Sequence, residues 1–329
     1  MESFVFALNA VAPIILMVAV GYWLKKVGLM KGDFAKAANK LVFRVFLPSM
    51  LFLNVYKIDS LGELEFGYII YVFAALLVLF CVALPTVMAV TKHNDRRGAL
   101  LQAVFRSNYA LIGIPLTQSL FGDEGVAVAT LLSVVSIPML NVLAVISLSI
   151  FRGNGGRPSV KKILSDIVHN PLILSVLTGV LVLGIRALLV RWGVEFRLSD
   201  VKPIYTTLGY LSNLATPMAL LVLGAQFEFS AVSSLRREIL FGTIARTVAV
   251  PLLGIGVAYL FFRNVFGGAQ FATFVAMFAT PVAVSSVPMA QEMDADATLA
   301  GQLVVWSTLI SAFTVFLAAF LLRLVGVFG

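Results

Sequence analysis

The chain has 329 residues, of which 60% are apolar and only 12% charged, and its mean hydropathy is +1.01. That balance excludes an ordinary soluble domain, which needs far more polar surface to meet water, and makes the bilayer the expected solvent. The formal net charge of +8 does not signal nucleic-acid binding, because the basic residues punctuate apolar runs instead of gathering on one face.

A helix needs roughly 20 apolar residues to cross about 30 Å of hydrocarbon at 1.5 Å per residue. Ten such runs are predicted, at 5–24, 41–57, 67–91, 98–121, 125–151, 165–190, 204–227, 239–262, 269–292 and 297–325. The first is too long and too weakly flanked for a cleaved signal peptide and reads as a span. The segments 25–40, 92–97 and 152–162 hold twelve Lys and Arg, whereas 57–65 sets Lys57 against Asp59, Glu63 and Glu65, and 122–125 holds only Asp123 and Glu124. The positive-inside rule therefore predicts cytoplasmic basic loops, with both termini outside, in a multi-pass protein of the inner (plasma) membrane. The second half is less orderly, since Arg186, Arg191, Arg197 and Lys202 fall in its predicted outer loop. Cys81 is the single cysteine, so an internal disulfide is excluded.

The two halves match weakly but in order. FLPSMLF (46–52) superimposes on ATPMALL (215–221), pairing Pro48 with Pro217; Pro85 falls near Pro251, Pro115 on Pro288 and Asp123 on Asp296. Five spans per half is an odd number, so the second half is expected upside down relative to the first, as in many transporters. The expected organisation is a repeat at 1–151, a short Gly-rich basic linker at 152–164 and a second repeat at 165–329.

Spans four and nine carry the breaking signals. In FRSNYALIGIPLTQSLFGDEG (105–125), Pro115 has no amide hydrogen, so the Leu111 carbonyl loses a helical partner, and Gly113 eases a bend. Ile114 lies between them. In FATPVAVSSVPMAQEMDAD (278–296), Pro281 and Pro288 flank Ser285 and Ser286. Free backbone groups cannot face lipid, so two discontinuous helices are expected to line a polar cavity. The second half of each begins with free amides and the positive end of a helix dipole, which attract an anion such as a carboxylate. Asn108 adds a neutral donor and acceptor, and Ser136 and Asn141 of span five are further candidate lining residues.

NYALIGIPL (108–116) with FGDEG (121–125), NPLILSVLTG (170–179), SNLATPMALLVLGAQF (212–227) and TPVAVSSVPMAQE (280–292) together resemble the auxin efflux carrier family of plants and prokaryotes. The resemblance implies an all-α integral membrane fold of ten transmembrane helices. Its two inverted five-helix repeats have crossing broken helices, and a transport domain moves elevator-like against a scaffold. It implies export of a small carboxylate and points to Asn108 as the residue that meets it. The chain departs from the plant proteins in its short central linker and in a wider spacing between Pro281 and Pro288.

Arg44, Arg106 and Arg246 lie inside apolar runs and must snorkel or face a cavity. Ser133, Asn213 and Thr216 are polar residues that either line the site or serve helix packing. A cation/proton antiporter needs membrane-embedded carboxylates, and none occurs at either break. A sodium-coupled organic-anion symporter of the bile-acid type remains an alternative. A membrane enzyme lacks its motif, since His93, His169 and Cys81 form no catalytic or metal-ligating pattern. No cofactor or metal is expected. The expected partners are a small carboxylate and the bilayer, with a second copy of the chain left open.

Overall fold

Uninterrupted apolar runs become long single helices in the computed structural model, which describes residues 2–57, 66–152 and 160–328. The helices are α1 (Glu2–Lys26), α2 (Gly32–Tyr56), α3 (Phe66–Val90), α4 (Asn94–Phe105), α5 (Tyr109–Ile150), α6 (Val160–Val168), α7 (Pro171–Arg191), α8 (Lys202–Gln226), α9 (Arg236–Phe262), α10 (Gly268–Phe278), α11 (Ser286–Glu292) and α12 (Ala297–Leu324). Seven of them, α2, α3, α5, α7, α8, α9 and α12, are long and apolar enough to cross a membrane. The acidic loop at 58–65 and most of the linker lie outside the described residues.

The second apolar run starts its helix earlier than predicted, at Gly32 rather than 41. Its first turns are amphipathic, burying Ala35, Ala38 and Asn39 while exposing Lys36 and Lys40, so an apolar count passes over them. Spans four and five part close to where the sequence predicts. The 42 residues of α5 comprise two helical stretches that meet at Phe121 (φ −137°, ψ 17°) and Gly122 (φ 58°, ψ −142°), where helical dihedrals are lost, at the edge of the predicted loop at 122–125. Gly122 takes φ +58°, a left-handed conformation that a side chain would strain.

Proline explains three wide turns. Val42–Phe46, Tyr109–Gly113 and Ala245–Ala249 are π turns, each closed by an amide bonding five residues back, and each ends two residues before a proline, Pro48, Pro115 or Pro251. The wider turn makes room where a proline ring would strike the carbonyl four residues earlier. Their equivalents in the predicted repeat, Pro217, Pro288 and Pro85, have no such turn. The paired prolines therefore do different local jobs.

Helices α1, α2, α7 and α8 pack on one another and α3, α4, α5 and α9–α12 form the other group, with α1 also packing along α12. Outward faces are apolar: Leu177, Leu181 and Leu188 of α7 and Leu252, Leu260 and Phe261 of α9 are exposed. Such faces suit lipid, not water. The core axis is α10, whose Phe271, Phe274, Val275, Met277 and Phe278 are fully buried. It is gripped at close range, since a Cβ on Gly254 would collide with the Phe278 ring and one on Gly113 would lie 3.0 Å from the Ala276 carbonyl oxygen. Gly113 itself has helical dihedrals (φ −65°, ψ −53°), so it serves this approach and not the bend expected of it.

At one end of the molecule Arg96 of α4 meets Glu238 of α9 at 3.1 Å and Asp296 at 3.6 Å. Asp296 caps α12 through the Leu299 amide. Burial raises its carboxyl above the ordinary value, while the Leu299 amide and Arg96 pull it down.

Candidate functional site

The chain unwinds twice, at Arg106–Asn108 after α4 and at Ala279–Ser285 after α10. The two unwound segments pair as a short antiparallel bridge, Ser107 opposite Val282. The Asn108 amide donates to the Pro281 carbonyl at 2.8 Å, and the Ala283 amide to the Arg106 carbonyl at 3.2 Å. Ser307 of α12 accepts from the Val282 amide at 3.1 Å. Because the bridge is antiparallel, α4 and α10 reach it from opposite ends. They have 12 and 11 residues, about 18 and 16 Å of helix. Those lengths set both breaks near the centre of a hydrocarbon layer about 30 Å thick.

Unwinding leaves terminal carbonyls that need donors. Arg246, fully buried in the wide turn of α9, supplies them. Its Nε donates to the Thr280 carbonyl (2.8 Å), Nη1 to Val104 and Phe105 (both 3.3 Å) and Nη2 to Met277 (2.9 Å). One guanidinium thus caps the C-terminal ends of both α4 and α10. Each such end carries about half a negative charge, so the two together offset one cation.

Beside the bridge lies a cavity of about 60 Å³, lined by Arg106–Leu111, Asn141 and Ala283–Ser285 on one side and by Met50, Asn54, Ala215 and Thr216 on the other. Several of these residues also line a wider cavity of about 420 Å³ that runs towards Lys57, Ser133 and Asn213. On the opposite side, Arg44 sits 3.8 Å from Glu292, and Gln226 donates to Gln291 at 3.0 Å. Both are contacts between the two helix groups.

Asn108 is 4% exposed, and its side-chain Nδ2 has no hydrogen-bond partner. The next three residues, Tyr109, Ala110 and Leu111, open α5, where amides have no intrahelical acceptor. Buried unpaired donors are costly, about 1–3 kcal/mol each, unless something occupies the space they face. The start of α11 differs from the sequence expectation. Ser286 and Val287 donate to the Ala283 and Val284 carbonyls, and Pro288 has no amide hydrogen. The Ser286 and Val287 amides are therefore not open to an anion, whereas the first turn of α5 is.

The candidate residues separate accordingly. Asn108, Asn141 and Ser285 line the central cavity, and Ile114 lines the wider one. Gly113, Pro115, Pro281, Ser286, Pro288 and Ser136 line neither. Pro115 is exposed and follows the break by seven residues, so it does not create it. It sits in the first turn after a wide turn, where a missing amide hydrogen matters little. Pro281 supplies its carbonyl to the bridge. Ser136 and Ser286 are buried beneath the site with unpartnered hydroxyls. Sequence reasoning passed over Asn54 and Ser107. Asn54, alone among apolar neighbours in LFLNVY, was a readable signal of the kind that membrane-embedded polar residues give.

Arg106 is 3% exposed and borders the cavity. Its Nη2 donates to Asn141 Oδ1 at 2.8 Å and its Nη1 to Gln102 Oε1 at 3.3 Å, with Met289 Sδ beside it. Asn141 is oriented in turn by donating to the Ile137 carbonyl at 2.9 Å.

The model of a family described as membrane transport protein matches residues 6–157 and 157–318. An uncharacterised transporter of Methanothermobacter thermautotrophicus is 26% identical over 320 residues, covering 94% of this chain and 96% of that protein. Another from Methanocaldococcus jannaschii is 28% identical over 243 residues, covering 72% of this chain and 73% of its own length.

Proposed function

The chain belongs to the membrane transport protein family, of the auxin efflux carrier kind, and from that membership we propose that it is a secondary transporter for a small organic carboxylate. The observation that carries this reading is the unpartnered Asn108 amide beside the open first turn of α5, both bordering a buried cavity. An anion's oxygens would accept from both. Among the described residues no Asp or Glu lines either cavity, which disfavours an ion-carrying carboxylate and leaves the site electropositive.

Ten crossings follow if α4 with the start of α5, and α10 with α11, each count as one span and α5 is divided at Gly122. Two inverted five-helix repeats are supported by the antiparallel meeting of the two breaks. The separation into α1, α2, α7 and α8 against the rest supports elevator-like alternating access, with the site carried on the second group. The Arg44–Glu292 and Gln226–Gln291 contacts would then close the cytoplasmic side, and the Lys57 end would open outward.

Purified protein in proteoliposomes should take up at least one acid from a panel of acetate, propionate, malonate and succinate. A lack of flux and of counterflow for every such acid would sink the reading. The orientation is tested separately by cysteines at residues 33, 95, 156, 61 and 124 in a Cys81→Ala background. An impermeant reagent added to cells should label the last two and spare the first three; the reverse pattern would invert the topology.

A further inference from the structure

Two arginines are buried near the breaks, and their electrostatic situations differ. The charge of Arg246 is closed, because its three nitrogens meet four carbonyls at two helix C-termini. Arg106 has no such closure. Among the described residues no carboxylate lies within 4 Å of its guanidinium. Its acceptors are neutral side chains, Asn141, Gln102 and the Met289 thioether. Although it is the residue that ends α4, its guanidinium bonds none of that helix's terminal carbonyls, two of which accept from Arg246 instead.

A guanidinium carries five donors. The protein's acceptors engage Nη1, through Gln102 and Met289, and Nη2, through Asn141, and none of the described residues meets Nε. Nε and Nη2 share one edge of the planar fork, the edge that accepts a carboxylate side-on. The residue borders the cavity next to the unpartnered Asn108 amide. An isolated buried charge is too costly to persist without use, and a partner that arrives from outside relieves it.

Resting on the carboxylate reading of this cavity, we propose that Arg106 is a binding residue, the fixed counter-charge of the transported anion, held in position by Asn141 and Gln102. Asn108 contributes a neutral hydrogen bond; Arg106 makes the site distinguish an acid from its uncharged analogue. Arg246 has no part in that distinction.

The test compares acetate, propionate, malonate and succinate with their amides, for binding to the purified protein. The parent should prefer at least one acid over its amide by tenfold or more. Arg106→Gln should lose ten- to a hundred-fold in affinity for that acid while binding of the amide changes little, so the preference collapses. Its melting temperature without ligand should equal or exceed the parent's, because an unpaired buried charge has been removed. Arg106→Lys keeps the charge and should keep most of the preference.

If the parent binds acids and Arg106→Gln binds them equally well, the assignment is overturned and the carboxylate reading stands. If the parent binds none of the acids, both fail. If Arg106→Gln does not fold, Arg106→Lys decides: loss of the acid preference in a folded Lys variant overturns the assignment.

Discussion

Asn108→Ala is expected to weaken carboxylate binding about ten- to a hundred-fold, the equivalent of one hydrogen bond to a charged group at roughly 1.5–3 kcal/mol. The fold should survive, because the bridge across the two breaks uses the Asn108 backbone amide and not its side chain. The backbone at Asn108 (φ −81°, ψ 49°) is also open to Ala. Asn108→Asp should be worse than Ala. It sets a negative charge where the substrate's own must sit, and it offers Arg106 an internal partner, so the cavity no longer needs an anion. Titration of a verified substrate into both purified variants measures the effect. Parental affinity in both would remove Asn108 from the site.

The largest effect on stability is expected at Arg246. Arg246→Met removes every donor that the carbonyls of Val104, Phe105, Met277 and Thr280 receive from that side chain. In a fully buried, water-poor setting, such losses sum to roughly 5 kcal/mol or more. That is comparable with the whole stability of many domains, about 5–15 kcal/mol, so the variant should unfold on extraction or melt far below the parent. Arg246→Lys retains a cation with fewer, unforked donors and should fall between. Unfolding of the three proteins in one detergent measures this. A Met variant as stable as the parent would show that the clamp is dispensable.

The helices themselves were legible, because apolar run length is a direct reading of what lipid demands. Boundaries were lost where a helix continues past the apolar stretch, as in the amphipathic turns from Gly32. The existence of breaks in spans four and nine was legible too, but the site of the first was not. Pro115 is the louder signal, yet a proline followed by good helix formers is absorbed by a wide turn. The break at Arg106–Asn108 is imposed from outside, by Pro281, Ala283 and Arg246, all more than 130 positions away in the chain. No local pattern carries that information. For the same reason nothing local separates Ser285, which lines the cavity, from Ser286, which is buried.

The shortness of α10 bears on how the protein is made. Eleven residues give about 16 Å of helix, roughly half a bilayer. The chain then enters an extended stretch whose polar backbone lipid cannot satisfy. The insertion machinery therefore has no complete span to release at this point in synthesis. Its acceptors and donors, Arg106–Asn108 and Arg246, are already translated, but Ser307, which takes the Val282 amide, lies in the final helix. The segment 268–292 must accordingly shelter against α4, α5 and α9 until α12 emerges. Assembly of the centre of this protein therefore waits on a helix made after both breaks.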